Sequence, residues 1–239
     1  MKKIEIILII FLNLFLISCA SQKEEVKSVV TSYNKALEAL KNKNYSEAAE
    51  KFEAIYDDYP LSNLSLKAGN MAAYAYYKDE KYEDVIRIAD TFIGYNPTGK
   101  DVPYLQYMKS ISYFNMMPNV NRGQDDSENA SSSFRELVAR FPTSDYAKDA
   151  RTKIAIIDNH LAAAKMNIGR YQMKNQNYIG AILQFSNVAE RYSHTNQAPE
   201  AYFRLYEIYY KLGIEDKAVV FKTALEKLSD DNIWKNEFY

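Results

Sequence analysis

Residues 45–60 read YSEAAEKFEAIYDDYP, and the spacing inside this stretch decides the fold. Counting from Tyr45, a small residue follows at +3 (Ala48), a large ring at +7 (Phe52), and the pair Tyr59-Pro60 at +14 and +15. Offsets 0, +3 and +7 share one face of an α-helix. The small side chain admits a neighbouring helix and the ring fills the gap beside it. Proline then ends the element, because it cannot continue the hydrogen-bond ladder. The same ruler fits from Tyr82 (Val85, Ala89, Asn96-Pro97), from Ser127 (Ala130, Phe134, Phe141-Pro142) and from Tyr178 (Ala181, Phe185, Tyr192-Ser193). A faded copy begins at Glu215, with Ala218 and Lys222.

Amphipathic stretches such as Val30 to Lys41 and Leu66 to Lys78 precede the rulers. Polar turns join the two parts: Asn42-Lys43-Asn44, Asp79-Glu80-Lys81 and Asn175-Gln176-Asn177. Each unit therefore reads helix, short turn, helix, the tetratricopeptide pattern with its period of about 34 residues. The rulers here are spaced by 37, 45, 51 and 37 residues, so two units carry insertions. Met117 to Asp126, with Pro118 and Gly123, is expected to be an inserted polar loop. Asp145 to Lys174 contains no proline and only Gly169, and reads as one long helix or two nearly continuous ones. The expected fold is all-α, with five repeat units over residues 30–229 stacked in a right-handed solenoid. No linker rich in Pro, Gly or Ser divides it, which favours one continuous array. Composition agrees: 21 Tyr and 11 Phe against 7 Gly and 6 Pro favour long helices over a turn-rich β fold.

The N-terminus supplies an address. Lys2 and Lys3 precede an apolar run of 12 residues, Ile6 to Ile17, interrupted by Asn13. A spanning helix needs about 20 apolar residues, so the run reads as a secretory signal core. It closes on Leu16-Ile17-Ser18-Cys19, which resembles a bacterial lipobox. The chain's single cysteine would take a diacylglycerol thioether, leaving residues 1–18 as signal peptide and 19–29 as a lipidated tether. Each buried acyl CH₂ contributes about 0.8 kcal/mol, so two or three chains anchor firmly. Contact with the membrane is then expected through the lipid alone. Ala20 in place of Asp, by resemblance to sorted lipoproteins, implies export to the outer membrane. Without residues 1–18, which hold Lys2, Lys3 and Glu5, the net charge is −2, which argues against a nucleic-acid partner. Residues 230–239 read as a C-terminal tail.

Motifs for chemistry are mostly missing. His160 and His194 are the only histidines, and neither forms an H-x-x-x-H pair or has a cysteine companion. No G-x-S-x-G and no phosphate-cradling glycine loop occurs. The expectation is therefore no cofactor, no metal and no enzyme.

Three stretches carry a more specific resemblance: Tyr74-Ala75-Tyr76-Tyr77-Lys78 with Phe92-Ile93 and Asn96-Pro97-Thr98; Tyr104 through Tyr107-Met108-Lys109; and Val120-Asn121-Arg122 with Asp125-Asp126, leading to Phe141-Pro142-Thr143-Ser144-Asp145-Tyr146. They resemble the BamD family, lipoproteins of the outer-membrane β-barrel assembly machine, over roughly residues 30–228. The resemblance implies a non-catalytic scaffold, facing the periplasm, that docks the POTRA domains of BamA beside other machine lipoproteins. It would also help receive unfolded outer-membrane proteins. In the family the C-terminal units contact BamA and the N-terminal units face substrate. By that resemblance Arg122, Gln184 and Glu190 are candidates for the BamA-docking surface. The sequence departs from the family at Asn121, where a member can carry Asp, and at Gln184, where some relatives carry Arg.

Registering the repeat places Tyr33, Tyr74, Tyr77, Tyr104, Tyr107 and Phe114 toward a concave surface, where an extended or helical peptide could stack. The same rings equally suit inter-helix core. Tyr59, beside Pro60, is a substrate-contact candidate by the family pattern and a hairpin-closing core residue by the ruler. Arg122 reads as a partner contact or as a solvated loop residue. A repeat lipoprotein for pilus assembly or cell-wall coordination is the alternative function. A helical-repeat enzyme carrier is a third, disfavoured by the missing catalytic motifs.

Overall fold

The computed structural model describes residues 28–228 and Trp234, so Cys19 and its lipobox lie outside the described residues. Among these residues every regular element is helical, with no strand. After α1 (28–41) come α2 (Tyr45–Asp58), α3 (Asn63–Lys78), α4 (Tyr82–Tyr95) and α5 (Val102–Met116). Then follow α6 (Asp125–Arg140), α7 (Asp145–Lys174), α8 (Tyr178–Arg191), α9 (Ala198–Lys211) and α10 (Glu215–Glu226). The five rulers fall on α2, α4, α6, α8 and α10, which start at Tyr45, Tyr82, Asp125, Tyr178 and Glu215. Asp145 to Lys174 is one helix of 30 residues, which settles the two readings of that stretch.

The ruler positions do what their sizes suggest. Ala48, Val85, Ala130, Ala181 and Ala218 at +3 are buried, as are Phe52, Phe134 and Phe185 at +7. Tyr59, Asn96, Phe141 and Tyr192 at +14 are each the C-cap of their helix, so α8 ends in register even though Ser193 replaces proline. Close approach explains two glycines. A Cβ on Gly169 of α7 would lie 2.5 Å from the Phe185 ring of α8, and one on Gly69 of α3 would lie 2.2 Å from Phe92 of α4.

Four of the hairpin turns share one latch. Lys43, Glu80, Gln176 and Gly213 all have φ between 60° and 70°, each two residues before a ruler. In each turn the next residue's N–H reaches back five residues: Asn44 to Ala39, Lys81 to Tyr76, Asn177 to Gln172 and Ile214 to Tyr209, all at 2.9–3.0 Å. This is the Schellman closure, with its left-handed residue at C′. Serine supplies a second recurrent device. Ser62 and Ser144 both stand at ruler position +17, and their hydroxyls accept from the N–H of Leu64 and Ala147 to cap α3 and α7.

The chain divides into two compact units between Ser112 and Tyr113, inside α5. In the first unit, α2 packs on α3 and α3 on α4. Helix α1 sends Val29, Ala36 and Ala39 into the same core, and Tyr33 meets Phe52 edge-on at 5.3 Å. In the second unit, consecutive helices from α6 to α10 pack pairwise.

Candidate functional site

In the first unit the predicted aromatic row divides by exposure. Tyr33, Tyr59, Tyr77, Tyr104 and Tyr107 are partly buried and packed against the unit's core, whereas Tyr74 on α3 is 40% exposed. Each partly buried ring has a job in packing. Burial beside Phe52 pushes the Tyr33 phenol above its ordinary value. The hydroxyls of Tyr59 and Ser28 share a 2.7 Å hydrogen bond, which ties α1 to the turn after α2. Tyr77 stands 5.8 Å from Tyr82 across the α3–α4 hairpin. A cavity of about 70 Å³ opens between Leu66, Asn70, Phe92, Val102 and Leu105, and none of the aromatic row lines it. Elsewhere in this unit, Tyr76 donates to Glu53 at 2.6 Å, and Arg87 donates to both Glu53 oxygens at 2.6 and 3.1 Å. The Arg87 hydrogen bonds hold the Glu53 carboxyl below its usual range.

In the second unit the inserted loop lies back on α7. Pro118 accepts from His160, and Asn121 accepts from Asn167 at 2.9 Å. The loop is braced internally as well, since Asn119 accepts from the Arg122 N–H at 2.9 Å and from the Gln124 amide at 3.0 Å. Arg122 therefore stands exposed on a fixed backbone. Phe114 packs edge-on to Phe134 at 6.4 Å, and Lys153 lies 5.4 Å from its ring, so it belongs to packing in this unit.

Two buried carboxylates hold the second unit's helices together. Asp158 on α7, 2% exposed, accepts two hydrogen bonds from Arg135 of α6 and lies 2.9 Å from the His194 ring in the turn after α8. Glu200 on α9 accepts from Arg170 of α7 at 2.8 and 2.6 Å. Burial works to raise the Glu200 carboxyl, and Arg170 and Arg204 outweigh it, leaving it below the usual range. A pair of this kind is strongly destabilised when one partner is removed.

Helix α8 has two sharply different faces. Ala181, Phe185 and Val188 are buried, while Ile179 and Leu183, one turn apart, are 84% and 67% exposed. Ile168 and Tyr171 on the adjacent α7 are 47% and 66% exposed. Gln184 is half-buried and Glu190 exposed. The sequence reading named those two polar residues and missed the apolar pair. Its signal was available as two large aliphatics at i and i+4, opposite the ruler face.

Among the described residues, no group of three His, Cys, Asp or Glu is placed to hold a metal ion. None of the described helices is long and apolar enough to cross a membrane. The sequence model of one family, described as YfiO, outer membrane lipoprotein, matches residues 26–224. The chain belongs to this family. Its relatives include proteins named outer membrane protein assembly factor BamD. The one from Rickettsia prowazekii is 32% identical, covering 97% of this chain and 93% of its own. That of Caulobacter vibrioides is 36% identical over 81% of this chain and 64% of its own, and that of Neisseria meningitidis 30% identical over 95% and 91%. A solved tetratricopeptide repeat protein from Parabacteroides merdae is 10% identical, spans 88% of this chain and 85% of its own, and has a TM-score of 0.41. The repeat architecture rests on the helices and rulers described above.

Proposed function

We propose that the protein is a non-catalytic scaffold lipoprotein of the outer-membrane β-barrel assembly machine, anchored through Cys19 and facing the periplasm. The assembly role follows from the BamD relatives, which align along nearly the whole chain. In this reading the second unit docks the periplasmic POTRA domains of BamA, beside other machine lipoproteins. The first unit helps receive unfolded outer-membrane proteins, with Tyr74 the most accessible ring of the aromatic row.

The observation that carries the docking assignment is the exposed pair Ile179 and Leu183 on α8. Fully covering an aliphatic side chain of this size is worth about 1.5–3 kcal/mol, so losing both contacts weakens a complex by well over tenfold. Arg122, Gln184 and Glu190 would supply the polar rim around such a contact.

Co-purification of BamA with the tagged protein from solubilised envelope tests this reading. Ile179→Glu with Leu183→Glu should abolish capture while leaving the melting temperature unchanged, because both side chains already face solvent. Phe185→Ala, on the opposite face, should instead cost about 3–5 kcal/mol of stability. Full BamA capture by the folded double variant would refute docking through α8.

A further inference from the structure

Helix α9 buries Ala201, Leu205 and Ile208 and presents Phe203, Tyr206 and Tyr210 elsewhere on its surface. Positions 203, 206 and 210 are spaced by three and four residues, which places them on one stripe. Tyr206 and Tyr210 stack at 5.8 Å with an interplanar angle of 25°, and Phe203 lies 6.5 Å from Tyr206. At the N-terminal end of the stripe sits Trp234, the chain's only tryptophan. Its ring centroid is 5.4 Å from that of Phe203 at 34°, and the Arg204 guanidinium lies 5.4 Å from the Trp234 ring.

The arginine is held in place rather than swinging freely. It donates to Glu207 at 2.9 Å and contacts Glu200 at 3.5 Å, while Glu200 is itself fixed by Arg170. An aromatic wall with a clamped cation beside it suits one flat, electron-rich ring. The ring contacts gain from quadrupole geometry and the guanidinium from the π-face. Trp234 lies beyond α10 in sequence, and its ring meets Phe203 and Arg204 of α9.

We infer that Phe203 and Arg204 form a binding site on α9 for an aromatic side chain carried by an extended segment, and that the chain's own Trp234 fills it in cis. The site is separate from the α8 face, and this inference stands whether or not that face docks BamA. A partner segment presenting an aromatic residue must displace Trp234, which competes at the high effective concentration given by a short connection.

The single tryptophan makes the test direct. In the full-length protein, Trp234 fluorescence should be blue-shifted relative to a free peptide of residues 229–239. Arg204→Gln and Phe203→Ala should each move the emission toward that of the peptide and at least double quenching by acrylamide, with helical circular dichroism retained. Trp234→Ala leaves a protein without tryptophan, so adding the peptide in trans should give a saturable blue shift. Binding to the wild-type chain, followed with a dye on the peptide, should be at least tenfold weaker. Wild-type emission equal to the free peptide, or emission unmoved in both variants, overturns occupancy in cis. Absence of a shift in Trp234→Ala at millimolar peptide overturns the site, as does equal affinity for both chains.

Discussion

His160 shows how one side chain joins packing to solution behaviour. One ring nitrogen donates to Pro118 in the inserted loop, while the buried Nε2 has no partner. A proton there would sit without an acceptor, and burial accordingly holds the imidazole below its ordinary value of 6.5. The folded state thus favours the neutral ring. The stability this gives is present above about pH 6.5 and is lost as pH falls through the lowered folded-state value. Thermal melts between about pH 7 and pH 5 should show a steeper loss in the wild type than in His160→Asn, which keeps an N–H donor but does not titrate. Parallel pH profiles would show that the ring does not report on the loop. Gly169 is the complementary case, a residue present because the Phe185 ring leaves no room for a Cβ. The sequence marked it only as the single glycine of a long helical stretch, since a one-dimensional pattern does not show which ring stands opposite.

Among elements, the hairpin turns were read as polar connectors, and the structure shows them to be latches of fixed form. Three of the four left-handed positions are occupied by Lys43, Glu80 and Gln176, where a Cβ is disfavoured, and only the fourth is Gly213. Gln176→Gly should therefore stabilise the second unit by up to about 1 kcal/mol, and Gly213→Ala should destabilise it by a similar amount. Urea midpoints of the two variants, compared with wild type, check both signs. Helix type, order and end points were legible because the ruler repeats small, large and helix-ending residues at fixed offsets. The latches were less legible, since their backbone form does not demand one residue type. Serine at +17 in two copies was a readable signal for the caps of α3 and α7.

For the whole molecule, the family and the all-helical repeat fold could be read from the chain, and the partition of its surface could not. Five tyrosines looked equivalent in register, yet four pack against the first unit's core and Tyr74 alone of them is 40% exposed. Exposure depends on how far each ring slides between neighbouring helices, which spacing does not encode. The apolar pair on α8 went unnoticed for the opposite reason, because aliphatic residues in a helix are read as core by default. In the proposed function, the protein also depends on the lipid anchor at Cys19, before the described residues. Cys19→Ser should leave an unprocessed precursor that takes up no labelled palmitate and is lost from the outer-membrane fraction. Normal cleavage and acylation of that variant would refute the assignment of the lipid to Cys19.

The latched turns also govern how such a chain can change length over evolutionary time. One residue added inside a Schellman turn rotates the helix that follows by about 100°, carrying its ring away from the core. The α5–α6 joint has no such latch, and its exposed tip at Arg122 and Gly123 can absorb extra residues while Pro118 and Asn121 hold the base. Insertions and deletions among relatives should accumulate at that tip and be scarce in the four latched turns.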